Sequence, residues 1–428
     1  MNGVCGITGE WHTAKLVDVA AINPPRKVKK GEPVPFIEMA ALPLSGRDIS
    51  AADVETRIAK AAGAHFQNGD TLLARITPCL ENGKTAQVRV FANGEVGEGS
   101  TEFIVLCGQD PADNDFVYYL SRDQEFRSFA ISRMEGTSGR QRVSWQSIAG
   151  YQFDLPPPEV RRSAAAMLSC LDDRIDNLRQ TNATLEAIAA ALFKSWFVDF
   201  DGIAPEDMQE SELGLIPKGW RVEEIGKLVQ CVGGTTPSTQ DETFWEGGTH
   251  HWATPKDLSG LQSPILTTTE RTITDAGVAR IGSGLLPAGT LLMSSRAPIG
   301  YLAISAVPVA INQGFIAMPP GGVLSPNWLL FWAKANMEAI KQKANGSTFM
   351  EISKAAFRPI KIIVPTKEAL AAFDEAVAPM LERVKNNEQH IATLGQLRDT
   401  LLPRLISGQL KLQQISLSQP SCLTILGD

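Results

Sequence analysis

The chain contains one long internal repeat, and this repeat restricts the folds available to it. Trp11 and Trp220 lie 209 residues apart, and so do Pro156 and Pro365, each of which ends a strand-like run. Between these positions the offset drifts, reaching 220 between residues 69 and 289. A repeat that keeps its offset at both ends and loses it in the middle predicts two globular domains of similar fold with different loop lengths.

Each predicted domain combines short strand-like runs, turn residues and one helix-like stretch. This pattern favours an α+β fold built mainly on antiparallel strands. The segment between the domains is acidic, flanked by prolines and aperiodic, which is typical of a linker. The predicted segments are domains at 1–156 and 220–365, helices within them at 116–120 and 328–332, a linker at 201–219 and a loose tail at 409–428.

A heptad pattern follows each domain and predicts two long helices, at 157–200 and 366–408. Apolar residues alternate at spacings of three and four, as at the a and d positions of a coiled coil, with one Asn interrupting each series. The first series is Leu168, Leu171, Ile175, Leu178, Asn182, Leu185, Ala189, Leu192 and Trp196. The second is Val377, Met380, Val384, Asn387, Ile391, Leu394, Arg398, Leu401 and Leu405.

The two Asn residues predict how the helices pair. If the helices are antiparallel and Asn182 faces Asn387, nearly every other layer is apolar, and a buried Asn pair fixes register. The exception is Leu171 with Arg398, whose stem can lie along the helix while its head reaches water. The apolar layers are Leu178 with Ile391, Leu185 with Val384, Ile175 with Leu394, Leu192 with Val377, Leu168 with Leu401 and Trp196 with Phe373. The alternative is that each helix packs only on its own domain.

Several segments, which together span nearly the whole chain, resemble the specificity (S) subunits of type I restriction-modification enzymes. Residues 171–176, 184–201, 215–220 and 397–408 carry the resemblance in the helices and linker, and residues 69–75 and 291–300 carry it in the domains. The implied fold is two target recognition domains joined by an antiparallel coiled coil with a pseudo-twofold internal repeat.

The resemblance implies a non-catalytic protein that recognises DNA, and the cysteines, which form no CxxC pair, favour a reduced, cytoplasmic setting. Each domain would recognise one half of a bipartite asymmetric sequence in double-stranded DNA, and the helices would set the gap between the halves. Two methyltransferase (M) subunits would dock on the chain, and restriction/translocase (R) subunits would join them. S-adenosylmethionine, ATP and Mg would be bound by those partners and not by this chain.

The net charge of −7 would ordinarily count against a DNA partner. Counted by segment, the charge is −3 over 1–156, −6 over 157–216, +3 over 217–365 and −1 over 366–428. Most of the acidity therefore lies in the first long helix and the linker, outside the domains. In the first domain the DNA hypothesis depends on local basic clusters at residues 26–30 and 133–142.

The predicted DNA contacts lie in two polar loops of each domain, one after the Leu-Leu strand and one before the last strand. Arg, Lys, Ser, Thr, Asn and Gln are the side chains that contact phosphates and base edges. The candidates in the first domain are Arg75, Thr77, Lys84, Ser138, Arg140, Gln141 and Arg142. Those in the second are Ser294, Ser295, Arg296, Asn312, Gln313, Ser347 and Thr348. Alternatively, Arg75 is a structural ion-pair partner and Arg296 anchors its own turn.

Three motifs could suggest catalysis or metal binding, and each is weak. Residues 23–26 (Asn-Pro-Pro-Arg) have Arg where amino-methyltransferases have an aromatic residue, and residues 78–85 lack the first glycine of a phosphate-binding loop. His250 and His251 have no carboxylates beside them in the sequence, so zinc is not expected. No apolar run is long enough to span a membrane, and the six cysteines form no CxxC pair. The remaining alternatives are a coiled-coil scaffold that binds only proteins, and a stand-alone nuclease or methyltransferase.

Overall fold

The computed structural model describes residues 11–137, 139–346 and 350–410, which form a mixed α+β structure divided into two compact units. One unit comprises the described residues of Met1–Asp176 and Thr393–Asp428, and the other comprises those of Asn177–Ala392. Each unit therefore holds one globular domain together with parts of two long helices. No helix in the described part of the chain is both long and apolar enough to cross a membrane.

In its described residues, the first globular domain contains ten strands and four short α-helices. The strands are β1 (His12–Lys15), β2 (Ala20–Ile22), β3 (Pro33–Ile37), β4 (Val54–Ile58), β5 (Ala64–Gln67), β6 (Thr71–Ala74), β7 (Thr85–Gln87), β8 (Val96–Gly99), β9 (Phe103–Gly108) and β10 (Gln152–Leu155). The helices are α1 (Leu16–Val19), α2 (Asn114–Arg122), α3 (Gln124–Ser132) and α4 (Trp145–Ala149). The long helix α5 (Pro158–Lys194) follows and ends in a π-helical turn over Ser195–Asp199.

Two four-stranded sheets form the centre of this domain, in the orders β2-β9-β6-β7 and β4-β3-β8-β5. Every residue of β6 is buried, because this strand lies inside its sheet with side chains packed on both faces. The predicted helix at 116–120 lies within α2, where Phe116 and Leu120 are fully buried. A separate antiparallel pair, β1 with β10, joins the two ends of the domain.

The second unit contains eleven strands and six short helices. The strands are β11 (Met208–Ser211), β12 (Gly214–Pro217), β13 (Arg221–Glu224), β14 (His250–Ala253), β15 (Ile265–Leu266), β16 (Arg271–Ile273), β17 (Leu291–Ser294), β18 (Leu302–Ser305), β19 (Val309–Ile311), β20 (Phe315–Met318) and β21 (Lys361–Val364). The helices are α6 (Ile225–Leu228), α7 (Pro255–Ser259), α8 (Asp275–Val278), α9 (Pro326–Ala335), α10 (Met337–Lys341) and α11 (Lys354–Phe357), and the chain continues into the long helix α12 (Lys367–Ile406).

The sheets of the second unit have the orders β15-β18-β17-β20 and β16-β14-β19, beside the pairs β13-β21 and β11-β12. The pair β11-β12 is a hairpin inside the segment 201–219, which the sequence predicted as a linker. The predicted helix at 328–332 lies within α9, and its residues Trp328 and Trp332 are buried in the core of the unit.

Strand pairing in the two domains follows the repeat seen in the sequence. His12 pairs with Leu155 in β1-β10, and Arg221 pairs with Val364 in β13-β21, so both partners are shifted by 209 residues. Leu72 of β6 pairs with Val105 of β9, while Leu292 of β17 pairs with Ala317 of β20. The repeat in the sequence is therefore a repeat of topology and strand register.

The long helices contact each other through polar pairs as well as apolar residues. In the second unit, Asn387 Nδ2 donates to Asn182 Oδ1 at 2.7 Å, and Asn182 Nδ2 donates to Glu388 Oε1 at 2.8 Å. Beside this pair, Val377 and Val384 of α12 are fully buried in one core with Leu185 and Leu192 of α5. Within this unit, residues of α5 are thus in contact with residues of α12.

In the first unit, Leu168 shares a core with Leu401 and Leu405. Of the other residues expected to pair, Ile175 and Leu178 are buried, while Ile391 and Leu394 are half-buried.

The expectation for Arg398 was wrong in one respect. Its side chain is only 8% exposed, and Nη1 donates to Asp172 Oδ1 at 2.6 Å instead of facing water alone. Asp172 is itself buried and also accepts a hydrogen bond from the Tyr119 hydroxyl at 2.7 Å. A buried carboxylate directly after Leu171 in the sequence gives the guanidinium a partner, because a buried charge is stable only when paired.

Candidate nucleic-acid interface

Three segments of the first domain meet at the end of β6. The loop that follows this strand pairs with the segment before α4, since Val143 N donates to Arg75 O at 2.9 Å and Thr77 N donates to Gln141 O at 3.0 Å. On its other side, Arg75 N donates to Glu102 O at 3.0 Å, in the turn before β9. The two polar loops selected from the sequence are thus adjacent, and a third turn lies beside them.

The segment before α4 is a hairpin closed by two main-chain hydrogen bonds. Glu135 N donates to Arg142 O at 3.0 Å, and Arg142 N donates to Glu135 O at 2.9 Å. Gly136 and Gly139 have φ values of 124° and 80°, a backbone conformation that residues other than glycine rarely adopt. Arg140 is exposed near the tip of this hairpin, and Ser138 lies outside the described residues.

Arg142 is held in a fixed orientation by a carboxylate of the neighbouring turn. Its Nε lies 2.9 Å from both Glu102 oxygens, and its Nη2 lies 2.7 Å from Oε1. Donation of these hydrogen bonds to Glu102 raises the pKa of Arg142 above its ordinary value. The arginine side chain is 41% exposed. A guanidinium held along one edge presents its remaining donors in a defined direction, as recognition of a base edge requires.

The second domain repeats this arrangement at the end of β17. Ile352 N donates to Ser295 O at 3.0 Å, and Ser295 N donates to Gly314 O at 2.8 Å. Asn345 and Glu351 exchange two main-chain hydrogen bonds, of 2.9 and 3.0 Å, and so close a hairpin. Ser347 and Thr348, which were selected from the sequence, lie outside the described residues.

An arginine and a carboxylate also face each other in the second domain, but they stand on different segments from those in the first. Arg296 stands on the loop after the strand, and its Nη1 lies 3.9 Å from Oε2 of Glu351 on the hairpin. In the first domain the arginine, Arg142, is on the hairpin and the carboxylate, Glu102, is on the turn. The two sites thus share a backbone arrangement and differ in the placement of their charged groups.

Lys84 and Ser294 form side-chain hydrogen bonds that explain their polarity without a ligand, and Ser294 and Ser295 are buried instead of facing solvent as predicted. Lys84 Nζ donates to Met39 O at 2.9 Å, so its charge is directed to the backbone of residues 39–40. Ser294 is fully buried, donates to Pro298 O at 2.7 Å and accepts from Tyr301 N at 2.8 Å. Ser295 is buried as well. A polar loop residue that folds its own turn has the same sequence signature as one that faces a partner.

The other candidates lie at the surface or shape it. Thr77 Oγ1 accepts from Gln141 N at 3.1 Å, and Asn312 Oδ1 accepts from Gly314 N at 2.8 Å, so these side chains stabilise the turns. Gln313 is exposed, with Oε1 accepting from the Thr236 hydroxyl at 2.6 Å. Arg75 and Gln141 are half-buried between the segments.

Sequence reasoning missed the two carboxylates, Glu102 and Glu351. A signal for Glu102 was present, because the 212-residue offset between β9 and β20 places residues 100–102 opposite residues 312–314. Asn312 and Gln313 were selected in the second domain, but their counterparts in the first were not. Applying the offset to every candidate would have pointed to that turn.

The motifs that could have suggested catalysis have structural roles. Asn23 Oδ1 accepts from Val105 N at 3.0 Å, and Arg26 forms an ion pair of 2.5 Å with the buried Asp70. In the segment 78–85, the amide groups of residues 80 and 82–84 all donate to carbonyls of the same turn, so they are not free to bind phosphate. Within the described ranges, no group of three His, Cys, Asp or Glu side chains could hold a metal ion.

The fold and these sites define an internally duplicated α+β protein with two equivalent polar surfaces. The family described as "Type I restriction modification DNA specificity domain" matches residues 217–396. The MjaIX specificity subunit of Methanocaldococcus jannaschii is 36% identical over 191 residues, which cover 42% of this chain and 43% of that protein. The HindI specificity subunit of Haemophilus influenzae is 24% identical over 412 residues, covering 81% and 87%.

The crystal structure of a type I restriction-modification system S subunit from M. genitalium shares the fold, with a TM-score of 0.53 and 15% identity over 94% of this chain and 97% of that one. The chain is therefore similar to type I restriction enzyme specificity subunits, through the family match over residues 217–396 and through these relatives. The match to the MjaIX subunit spans less than half of that relative, whereas the match to the HindI subunit spans most of it.

Proposed function

We propose that this chain is the sequence-specific DNA-recognition subunit of a type I restriction-modification complex, and that each domain recognises one half of a bipartite target. The single observation that carries the proposal is the repeated site, in which the same three segments meet at the end of a buried strand in both domains. Each site presents an arginine opposed to a carboxylate, Arg142 with Glu102 and Arg296 with Glu351.

The chemistry of the two sites suits contacts to base edges. Arginine donates two hydrogen bonds to O6 and N7 of guanine, and a carboxylate accepts from N4 of cytosine, in the major groove. Since the first domain has its arginine on the hairpin and the second has it on the loop, the two sites present donors and acceptors in different arrangements. Two different half-sites, and hence an asymmetric target, follow from that difference.

The long helices have a spacing and docking role in this proposal. An antiparallel pair of α5 and α12 carries the two domains as a pseudo-twofold arrangement and sets the gap between the half-sites. The acidic segment 157–216, at −6, suits contact with protein better than contact with DNA. Two M subunits dock there and perform methylation with S-adenosylmethionine, while R subunits use ATP and Mg. The chain itself performs no catalysis.

Methylation mapping of a genome modified by this chain and its M partner tests the proposal directly. The expected result is methylation at a motif of two short, different sequences separated by a gap of fixed length. A single uninterrupted motif, or methylation that does not change when this chain is replaced by a relative, would contradict it.

A matched pair of variants then assigns each domain to its half-site. Arg296→Ala is expected to reduce discrimination against base changes in one half-site, and Arg142→Ala in the other, by about 1 to 3 kcal/mol each. Arg140→Ala serves as the control, because an exposed arginine that contacts phosphate should weaken all sequences similarly and reduce the salt slope by about one. The measurement is competition binding by the assembled complex. Equal effects of Arg296→Ala on both half-sites would refute the assignment.

A further inference from the structure

The first domain is fastened to the long helix α5 by a buried arginine, Arg47, that takes no part in the candidate site. Its side chain is 1% exposed. Nη1 donates to Ser169 Oγ at 3.0 Å and Nη2 to Asp173 Oδ1 at 2.5 Å, and both acceptors lie on α5. Nε and Nη2 also donate to Asp48, at 3.0 and 2.8 Å. One guanidinium thus joins the globular domain to the helix through bonds in three directions.

Main-chain hydrogen bonds connect Arg47 to the candidate site. Gln87 N, in β7, donates to Arg47 O at 2.9 Å, and β7 pairs with β6. Strand β6 leads directly into the loop that begins at Arg75. In addition, the Tyr118 hydroxyl donates to Gly46 O at 3.0 Å, next to Arg47. The sheet that carries the loop and the residue that grips α5 therefore form one continuous hydrogen-bonded structure.

The contacts of Arg47 are directional and strong. Burial alone would lower the pKa of Arg47, but the hydrogen bonds that it donates to Asp48 and Asp173 outweigh this effect and hold its pKa above the ordinary value. A planar, charged guanidinium fixes both the distance and the angle of its partners, which apolar packing does not do. Arg89 adds a second bond to Asp173, of 3.2 Å.

The second unit uses a different chemistry where its domain meets the helices. Aromatic rings lie at that interface, with centroids 5.4 Å apart for Phe193 and Trp328 and 5.8 Å apart for Phe197 and Trp328. These rings lie in one apolar core with Phe331. The second unit also has an ion pair between its domain and α5, Lys334 with Glu186, but both side chains are about one-third exposed. A buried arginine that joins domain and helix is thus a feature of the first unit.

We propose that Arg47 is a positioning residue that fixes the angle of the first recognition domain on α5, and thereby determines which gap between the half-sites is accepted. This inference rests on the proposed function. Because the hydrogen-bond partners of Arg47 (Asp48, Gln87, Ser169 and Asp173) all lie outside the loop, turn and hairpin of the candidate site, its replacement changes the preferred gap and leaves the recognised bases unchanged.

The test uses the full chain assembled with its M partner and a set of duplexes that contain both mapped half-sites. The gap is the natural length, one base pair shorter or one base pair longer. For Arg47→Met, the preference for the natural gap over the other two is expected to fall by about fivefold or more, while discrimination against base changes within each half-site stays within about twofold. Asp173→Asn, which keeps shape and removes charge, is expected to change the preference in the same direction by a smaller factor. Arg57→Met is the control, because Arg57 is 41% exposed and pairs with Glu38 and Glu55 of its own sheet.

Two outcomes would overturn the inference. One is an unchanged gap preference in Arg47→Met and Asp173→Asn. The other is an equal loss of affinity for all duplexes in both variants, which indicates a role in stability alone. Failure of the wild-type complex to distinguish half-site sequences at all would instead overturn the proposed function, so the two failures are distinguishable.

Discussion

The buried pair of Asp172 and Arg398 allows a quantitative prediction, because the second half of the chain contains an apolar version of the same layer. The offsets of the repeat place Leu381 opposite Asp172, Ala189 opposite Arg398 and Phe331 opposite Tyr119, and all three lie in the core of the second unit. The chain therefore contains both a charged and an apolar solution at equivalent positions.

Arg398→Ala would leave Asp172 buried with only the Tyr119 hydroxyl as partner. Removal of one member of a buried ion pair costs about 3 to 5 kcal/mol. At about 2 to 4 °C per kcal/mol for a unit of this size, the unfolding temperature of the first unit is expected to fall by about 6 to 20 °C. The triple variant Tyr119→Phe, Asp172→Leu and Arg398→Ala copies the layer of the second unit, and it is expected to recover most of the loss.

Scanning calorimetry of the single and triple variants measures these shifts, with Arg57→Ala as the control. Arg57 forms an exposed pair with Glu38, and its loss is expected to lower the unfolding temperature far less than Arg398→Ala does, because solvent screens an exposed ion pair. The argument would be refuted if Arg398→Ala were no more destabilising than Arg57→Ala, or if the triple variant unfolded at the same temperature as the single one.

Two further predictions concern the paired helices and a buried carboxylate. Cysteines replacing both Asn182 and Asn387 are expected to cross-link within one chain on oxidation, as a faster band on a non-reducing gel; cross-links only between chains would contradict the contact. Glu98, 4% exposed, accepts hydrogen bonds from four backbone amides of residues 60–63, and Glu98→Gln is expected to reduce the free energy of unfolding by about 1 to 3 kcal/mol at pH 7. Burial raises the pKa of Glu98, but the four hydrogen bonds together lower it by more. The folded pKa therefore lies below the unfolded pKa of about 4.3. The contribution is therefore present above that pH and is lost as pH falls through the folded value. Denaturant unfolding of both proteins should converge as the solution is acidified, and a constant difference would be evidence against the charge.

Residues that obey a long-range periodicity were the ones that sequence reasoning placed well. Asn182 and Asn387 interrupt two heptad series at positions that match in an antiparallel pair, and the structure contains their hydrogen bond. Trp328 and Trp332, at helical spacing, lie in the core of the second unit. A regular spacing of apolar residues defines a whole face of a helix at once. An error at one residue therefore does not change which face is predicted to be buried.

Residues whose environment depends on a partner distant in sequence could not be placed in this way. Ser294 was selected because it lies in a polar loop, but its hydroxyl folds that loop from the inside. The partner of Arg398, Asp172, is 226 residues away and lies at neither an a nor a d position of its helix. Likewise, Glu102 acquires its significance only when the loop, the turn and the hairpin come together around Arg142.

The unequal chemistry of the two domain–helix interfaces limits how such a chain can exchange parts. A gene rearrangement that copied the second domain over the first would set Phe331 against Asp172 and Ser325 against Arg161, because these are the counterparts of Tyr119 and Asp113. Arg161 would then lose its ion-pair partner, and Asp172 would keep Arg398 but lose the hydrogen bond from a hydroxyl. A domain taken from the same end of a related chain would retain these contacts, whereas transfer between the ends is expected to destabilise the first unit.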